Sequence, residues 1–129
     1  MPAATILIVD DDPISLTVAS LLLRQAGFAT QTACDGMEAL DLLQTLQPDL
    51  ILSDIQMPNM DGFELARRTR QIPRLRGTPM IALTAFAAED VEQRAYDAGF
   101  TAYMRKPVNG SGLAAGVRHF LDRPGIPCV

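Results

Sequence analysis

Three short aliphatic runs constrain this chain more than anything else in it: "TILIVD" at residues 5–10, "DLILSD" at 49–54 and "PMIALTA" at 79–85. They are nearly continuous in apolar residues rather than alternating, which is how strands of a parallel sheet read when helices cover both faces. "TAYMRK" at 101–106 reads as a further strand, and "FATQTA" at 28–33 alternates, as a strand nearer the sheet's edge does. Helical patterns fill the intervals. In 13–25, Ile14, Val18, Leu21 and Leu22 share a face and Gly27 supplies a stop; in 36–46, Ala39, Leu42, Leu43 and Leu46 do the same. "DGME" and "DGFE" read as capping boxes, with Asp35 and Asp61 as caps and Glu38 and Glu64 reaching back. The second box opens a helix to about Gln71, and two more helices follow at about 88–98 and 111–122. Strand and helix thus alternate five times, which predicts an α/β fold: a doubly wound, five-stranded parallel sheet with helices on both faces and right-handed crossovers.

At 129 residues the chain is the size of one domain, expected over 1–122. The Pro- and Gly-containing "RPGIPCV" over 123–129 reads as an extended tail or the stump of a linker. A net charge of −4 gives no basic footprint for nucleic acid or anionic membrane. No apolar run approaches the roughly 18 residues of a membrane span, so a soluble, cytoplasmic protein is expected. Cys34 and Cys128 make no disulfide framework and no metal motif, and His119 has no partners for a zinc site.

In such a sheet, ligands bind outside the carboxyl ends of the strands. The residues at those ends are Asp10, Asp11 and Asp12, then Ser53 and Asp54, then Thr84, then Lys106 before Pro107. Singly, each has a bland role as helix cap, turn residue or solvated side chain. Together they bring carboxylates, a hydroxyl and an ammonium to one rim, which independent caps have no reason to do. Two carboxylates about 4 Å apart repel by roughly 4 kcal/mol at an effective dielectric of 20, so the acids require a cation. Oxygen ligands without His or Cys suit Mg²⁺. With Lys106 as a point charge and Thr84 as a neutral donor, the set suits phosphoryl transfer to or from a carboxylate.

"ILIVDDDP", "LILSDIQMPNMDGFEL", "MIALTA" and "YMRKP" together resemble, in order and spacing, the motifs of the response regulator receiver domain, a CheY-like module of two-component signalling. The resemblance covers about residues 5–121 and implies a phosphoacceptor switch. Asp54 would be the nucleophile, accepting a phosphoryl group from a histidine kinase or histidine phosphotransfer protein. Mg²⁺, with Mn²⁺ as a substitute, would be held by Asp11, Asp54 and the main-chain carbonyl of Gln56, with Asp10 acting through metal-bound water and by orienting the site. Lys106 would bind a phosphoryl oxygen beside a cis bond to Pro107. Thr84 and Tyr103 would carry the switch to a surface on the fourth helix, fifth strand and fifth helix, where a downstream protein or a second copy binds. Gln56 and Phe86, two residues after Asp54 and Thr84, would tune hydrolysis, and the bulk of Phe86 predicts a long-lived phosphoryl group.

Two rivals come from other classes. A haloacid-dehalogenase-like phosphohydrolase would use Asp10 as nucleophile in its Asp-x-Asp. That pattern expects Thr or Val where Ile14 stands, wants paired acids after Lys106, and leaves Asp54 without a role. A phosphorylation-independent binding module on the same fold normally loses an acid or the lysine, and none is missing here. Asp12, directly before Pro13, reads as a helix cap rather than a ligand, because consecutive side chains leaving a strand point in different directions.

Overall fold

A computed structural model describes residues 3–85, 89–106 and 110–121. Five strands, β1 (Thr5–Val9), β2 (Ala29–Ala33), β3 (Leu50–Asp54), β4 (Met80–Thr84) and β5 (Ala102–Arg105), alternate with five helices, α1 (Pro13–Gln25), α2 (Gly36–Leu42), α3 (Gly62–Arg70), α4 (Glu89–Ala98) and α5 (Gly110–Leu121). All pairings are parallel and the order is β2-β1-β3-β4-β5. The chain direction across the sheet reverses between β1 and β3. That is the switch point at which open α/β sheets form their crevice.

The period of two along each strand sorts the core into two layers. Leu7, Val9, Ile51, Met80 and Ala82 face a cluster with Leu43, Phe63, Leu65 and Ala95. Ile6, Ile8, Leu50, Leu52, Ile81 and Leu83 face the opposite cluster, with Ala19, Leu23, Leu113 and Val117. All five residues of β3 and of β4 are buried, as their continuous apolar character predicts, whereas the alternating β2 lies at the edge and buries only Ala33 fully.

Helix boundaries follow local chemistry. Asp12 caps α1, accepting from Ile14 N at 3.2 Å with Pro13 in the first turn. Asp35 and Asp61 accept from Glu38 N and Glu64 N at 2.7 and 2.9 Å. Glu38 reaches back as expected, to Cys34 N at 2.7 Å. Glu64 does not, because Arg68 and Arg67, one turn on, draw its carboxylate outward at 2.9 and 3.5 Å. Helix α2 stops at Leu42, short of the expected 46, in a tightened turn whose carbonyls at Leu43 and Leu46 accept from Arg74.

The structure corrects the reading of α1. Ile14, Val18 and Leu21 are 74%, 46% and 51% exposed, and the residues meeting the sheet are Ala19, Ser20 and Leu23. Helix α1 is apolar on two flanks, so periodicity alone does not select one. The inward flank is the one with small residues, which let the helix approach the sheet. Ser20 is tolerated there because its hydroxyl pairs with Thr30 Oγ1 at 2.9 Å. Phe86, Pro107 with its expected cis bond, Cys128 and the tail over 123–129 lie outside the described residues.

Candidate functional site

Because the strands are parallel, their carboxyl ends share one rim. Asp10 follows β1 and is 3% exposed; its Oδ1 accepts from Asp12 N at 2.9 Å and its Oδ2 from Lys106 Nζ at 2.7 Å. Asp11 beside it is exposed. Asp54, the last residue of β3, is 8% exposed. Its Oδ1 accepts from Gln56 N at 3.3 Å and its Oδ2 faces Lys106 Nζ at 3.4 Å. The Asp54 carbonyl accepts from Ser53 Oγ at 2.8 Å, which fixes the strand end beneath the carboxylate. Thr84 closes β4 and is buried, and its carbonyl accepts from Lys106 N at 2.9 Å, tying the lysine's backbone to the neighbouring strand end. Asp10, Asp11, Asp54, Thr84 and Lys106 therefore stand on the one rim where the sequence pattern sets them.

The remaining sequence candidates sit around this rim. Gln56 is in the loop leaving β3. Tyr103 is half-buried on β5, packed against the cluster that contains Phe63 and Ala95, and paired in register with Ala82. Asp12 is turned away into its capping role, with Ser15 Oγ donating to it at 2.8 Å. The Ser15 hydroxyl, then the Ile14 amide, hold its carboxyl below the ordinary aspartate range.

The electrostatics are those of acids held together against repulsion. One carboxylate oxygen from each of Asp10, Asp11 and Asp54 lies within 4.8 Å of the others. At that spacing each pair of charges repels by at least about 3.5 kcal/mol at an effective dielectric of 20. Burial raises the pKa of Asp54, Lys106 opposes that rise, and the Asp10 charge adds to it. Burial works against the Lys106 ammonium, but its hydrogen bond to Asp10 and the charge of Asp54 outweigh it and lift its pKa above the ordinary value. One ammonium against three carboxylates leaves a deficit of positive charge that a divalent cation matches. The donors are all oxygen and one of them is exposed, so the set fits Mg²⁺, which keeps several of its waters.

The rim opens into a cleft of about 820 Å³ that runs from Asp54 and Lys106 past Met57 and Phe63 to Arg94 on α4. The Arg94 guanidinium stacks on the Phe63 ring at 4.4 Å. No local pattern in the sequence marks this wall, because α3 and α4 build it from Phe63 and Arg94, 31 positions apart. A smaller, mostly apolar groove of about 370 Å³ adjoins the same site between Asp10, Lys106 and the Ile14 to Val18 flank of α1.

Comparison with known proteins matches this geometry. Residues 6–118 fit the family model of the response regulator receiver domain. An uncharacterized 14.6 kDa protein from the sodA1 3' region of Leptolyngbya boryana is 44% identical over 115 residues, covering 89% of this chain and 88% of that one. The chain spans only 49% and 13% of the length of two longer relatives. The chemotaxis response regulator CheY4 of Vibrio cholerae superposes with a TM-score of 0.86 at 33% identity, over 91% of this chain and 98% of that one. The receiver domain of the sensor histidine kinase PA1611 of Pseudomonas aeruginosa PAO1 gives 0.87 at 30% identity, over 93% and 98% of the two chains, and carries a magnesium ion coordinated in its active site cleft. With the sheet order, the acids at the β1 and β3 ends and the lysine after β5 all in place, this chain belongs to the response regulator receiver domain family of two-component systems.

Proposed function

We propose that this chain is a phosphoacceptor in a two-component phosphorelay, with Asp54 taking a phosphoryl group from a phosphohistidine on a histidine kinase or histidine phosphotransfer protein. The observation that carries the reading is the contact set of Lys106 Nζ, which reaches both Asp10 and Asp54 while Asp11 stands within 4.8 Å of the same oxygens. A carboxylate oxygen of Asp54 attacks phosphorus, the O–P bond forms, the P–N bond breaks, and its electron pair returns to the imidazole ring. Burial makes the Asp54 carboxylate more basic and so a stronger nucleophile, while the Lys106 charge opposes its protonation. Lys106 then exchanges a carboxylate partner for a phosphoryl oxygen, and the Thr84 hydroxyl donates to another. Asp11, Asp54 and the Gln56 carbonyl hold Mg²⁺ or Mn²⁺, with Asp10 orienting the set. Bound, the ion supplies positive charge against the carboxylates and the phosphoryl oxygens.

Movement of Thr84 toward the new group frees space that Tyr103 takes, reshaping the surface of α4, β5 and α5 for a protein target or a second copy. The donor protein approaches on another side. A phosphohistidine must come within bonding distance of Asp54, and the apolar groove beside Asp10 and Lys106 continues onto the exposed flank of Ile14, Val18 and Leu21. That flank is the donor's seat. The receiver unit spans residues 1–122 and works in the cytoplasm, as a signalling domain that catalyses only its own phosphorylation and dephosphorylation. Among the described residues no helix is long and apolar enough to cross a membrane.

The test is chemical. Acetyl phosphate with Mg²⁺ is expected to place an acid-stable, hydroxylamine-labile acyl phosphate on Asp54, and Asp54→Asn and Asp11→Ala are expected to abolish it. Acyl phosphate mapped to Asp10 would instead make the chain a phosphohydrolase of the haloacid dehalogenase type. Undiminished signalling by Asp54→Asn would make it a constitutive binding module.

A further inference from the structure

The loop from β3 to α3 returns on itself at Gly62. The Gly62 amide donates to the Ile55 carbonyl at 2.7 Å, closing residues 55–62 into a ring that begins immediately after Asp54. A Cβ at Gly62 would stand 2.4 Å from the Asp54 carbonyl oxygen, 2.8 Å from Ile55 Cα and 3.2 Å from the Asp54 carbonyl carbon. These are backbone atoms of the strand that carries the acceptor, so they cannot yield as the tip of a flexible side chain would. Any side chain at 62 must push apart the start of α3 and the end of β3.

What such a shift would move is specific. The Asp54 carbonyl is also held by Ser53 Oγ at 2.8 Å, and the Asp54 carboxylate accepts from Gln56 N at 3.3 Å, inside the ring. The ring is held at its far side too: Met60 is buried, and its sulfur would lie 2.7 Å from a Cβ at Gly36. Asn59, between these anchors, takes the left-handed conformation at φ 71° that the tight return demands. The peptide units on both sides of Gln56 are therefore oriented by the closure at Gly62.

We infer that Gly62 is a positioning residue for the metal: the missing side chain lets α3 meet the carbonyl of Asp54, and that contact aims the Asp54 carboxylate and the Gln56 carbonyl at one point. The inference rests on the proposed Mg²⁺ site and concerns how that site is built. Gly62 itself touches neither ion nor phosphoryl group. Orientation of oxygen donors matters here because Mg²⁺ demands near-octahedral geometry and tolerates little misdirection.

The experiment is Mg²⁺ binding by isothermal titration to the full chain, with the amide NMR shifts of Asp54 and Gln56 read in parallel, for wild type, Gly62→Ala and Gly36→Ala. Gly36→Ala strains the same loop against Met60, whose Sδ would lie 2.7 Å and Cβ and Cγ 3.0 Å from the new Cβ, rather than against the Asp54 backbone, and serves as the control for lost stability alone. Gly62→Ala is expected to bind Mg²⁺ at least tenfold more weakly and to shift the Asp54 and Gln56 amides even without metal. Gly36→Ala is expected to bind within about twofold of wild type. If Gly62→Ala is partly unfolded, trimethylamine oxide added to all three proteins restores the compact state for the comparison. Equal affinity in a folded Gly62→Ala, or a variant that stays unfolded in the osmolyte, assigns Gly62 to folding and overturns the inference while leaving the proposed function standing. A wild-type chain that binds no Mg²⁺ removes the proposed function, and this inference with it.

Discussion

Helices α1 and α3 use their apolar residues in opposite ways. Helix α3, "GFELARRTR", carries four charged residues in nine, yet buries Phe63, Leu65, Ala66 and Thr69. Helix α1, "PISLTVASLLLRQ", carries one charge in thirteen, yet fully buries only Ala19, Ser20 and Leu23 and leaves three large aliphatic side chains in water. The neighbours account for the difference. Helix α3 is flanked by α2 and α4 on its face of the sheet, whereas α1 shares the opposite face with α5, the helix it packs against. Burial is thus decided by position in the layer, not by how apolar a helix is. The surplus of α1 lies beside the mouth of the acidic cleft, where folding gives no reason for it.

The comparison is broken most forcefully in α3. Leu65→Ala removes a side chain with no exposed area, and a loss of about 2–5 kcal/mol is expected in urea unfolding, enough to consume a large part of a small domain's stability. A loss below about 1 kcal/mol would mean that α3 is not the anchored helix it appears from its contacts.

On α1 the double variant Ile14→Asn, Leu21→Asn is expected to cost about 1 kcal/mol of stability, since Ile14 is mostly exposed, Leu21 is half exposed and asparagine is the weaker helix former. Phosphorylation by acetyl phosphate should be unchanged, because Asp10, Asp11, Asp54 and Lys106 are untouched. Transfer from a phosphorylated histidine kinase that serves the wild-type chain should fall at least tenfold. Loss of both reactions together would place the effect in the site rather than in docking. Smaller again is Asp12→Ala, which removes the cap of the same helix and should cost about 1 kcal/mol while leaving Mg²⁺-dependent phosphorylation in place. Loss of phosphorylation equal to that of Asp11→Ala would make Asp12 a member of the site.

The same contrast explains what the sequence discloses and what it hides. The sheet is legible because β1, β3 and β4 are buried on both faces and so are aliphatic throughout. Once they are parallel, the residues after them must share a rim, so Asp10, Asp11, Asp54, Thr84 and Lys106 can be brought together without coordinates. Membership of the receiver family follows from the same motifs. The core face of α1 is not legible, because Ile14, Val18 and Leu21 satisfy a helical period as well as Ala19 and Leu23 do, and only the sheet's position chooses between them. The end of α2 depends on Arg74, a residue about 30 positions away that caps its carbonyls. Gly62 looks like an ordinary first residue after the cap Asp61; its contact with the Asp54 carbonyl arises only when the loop closes.

The smallest expected effect concerns Asp54 itself and sets a buried acid of the site against the buried apolar residues of α3. Its pKa in the folded state is raised above the ordinary aspartate value by burial, so the folded chain favours the neutral carboxyl. The associated stability is fully present below the unfolded-state pKa of about 4 and is lost as pH rises through the higher folded-state value. At neutral pH without metal, the ionised Asp54 therefore works against folding, and Asp54→Asn should melt at a higher temperature than wild type. The gap should close as pH falls below about 4, where the wild-type carboxyl is protonated as well. Excess Mg²⁺ should narrow it from the other side, because an ion bound to the native carboxylates stabilises the wild type by mass action and the amide at 54 forfeits a ligand. A melting temperature for Asp54→Asn below wild type at pH 7 in the presence of a chelator would mean that the contact with Lys106, rather than burial, governs Asp54.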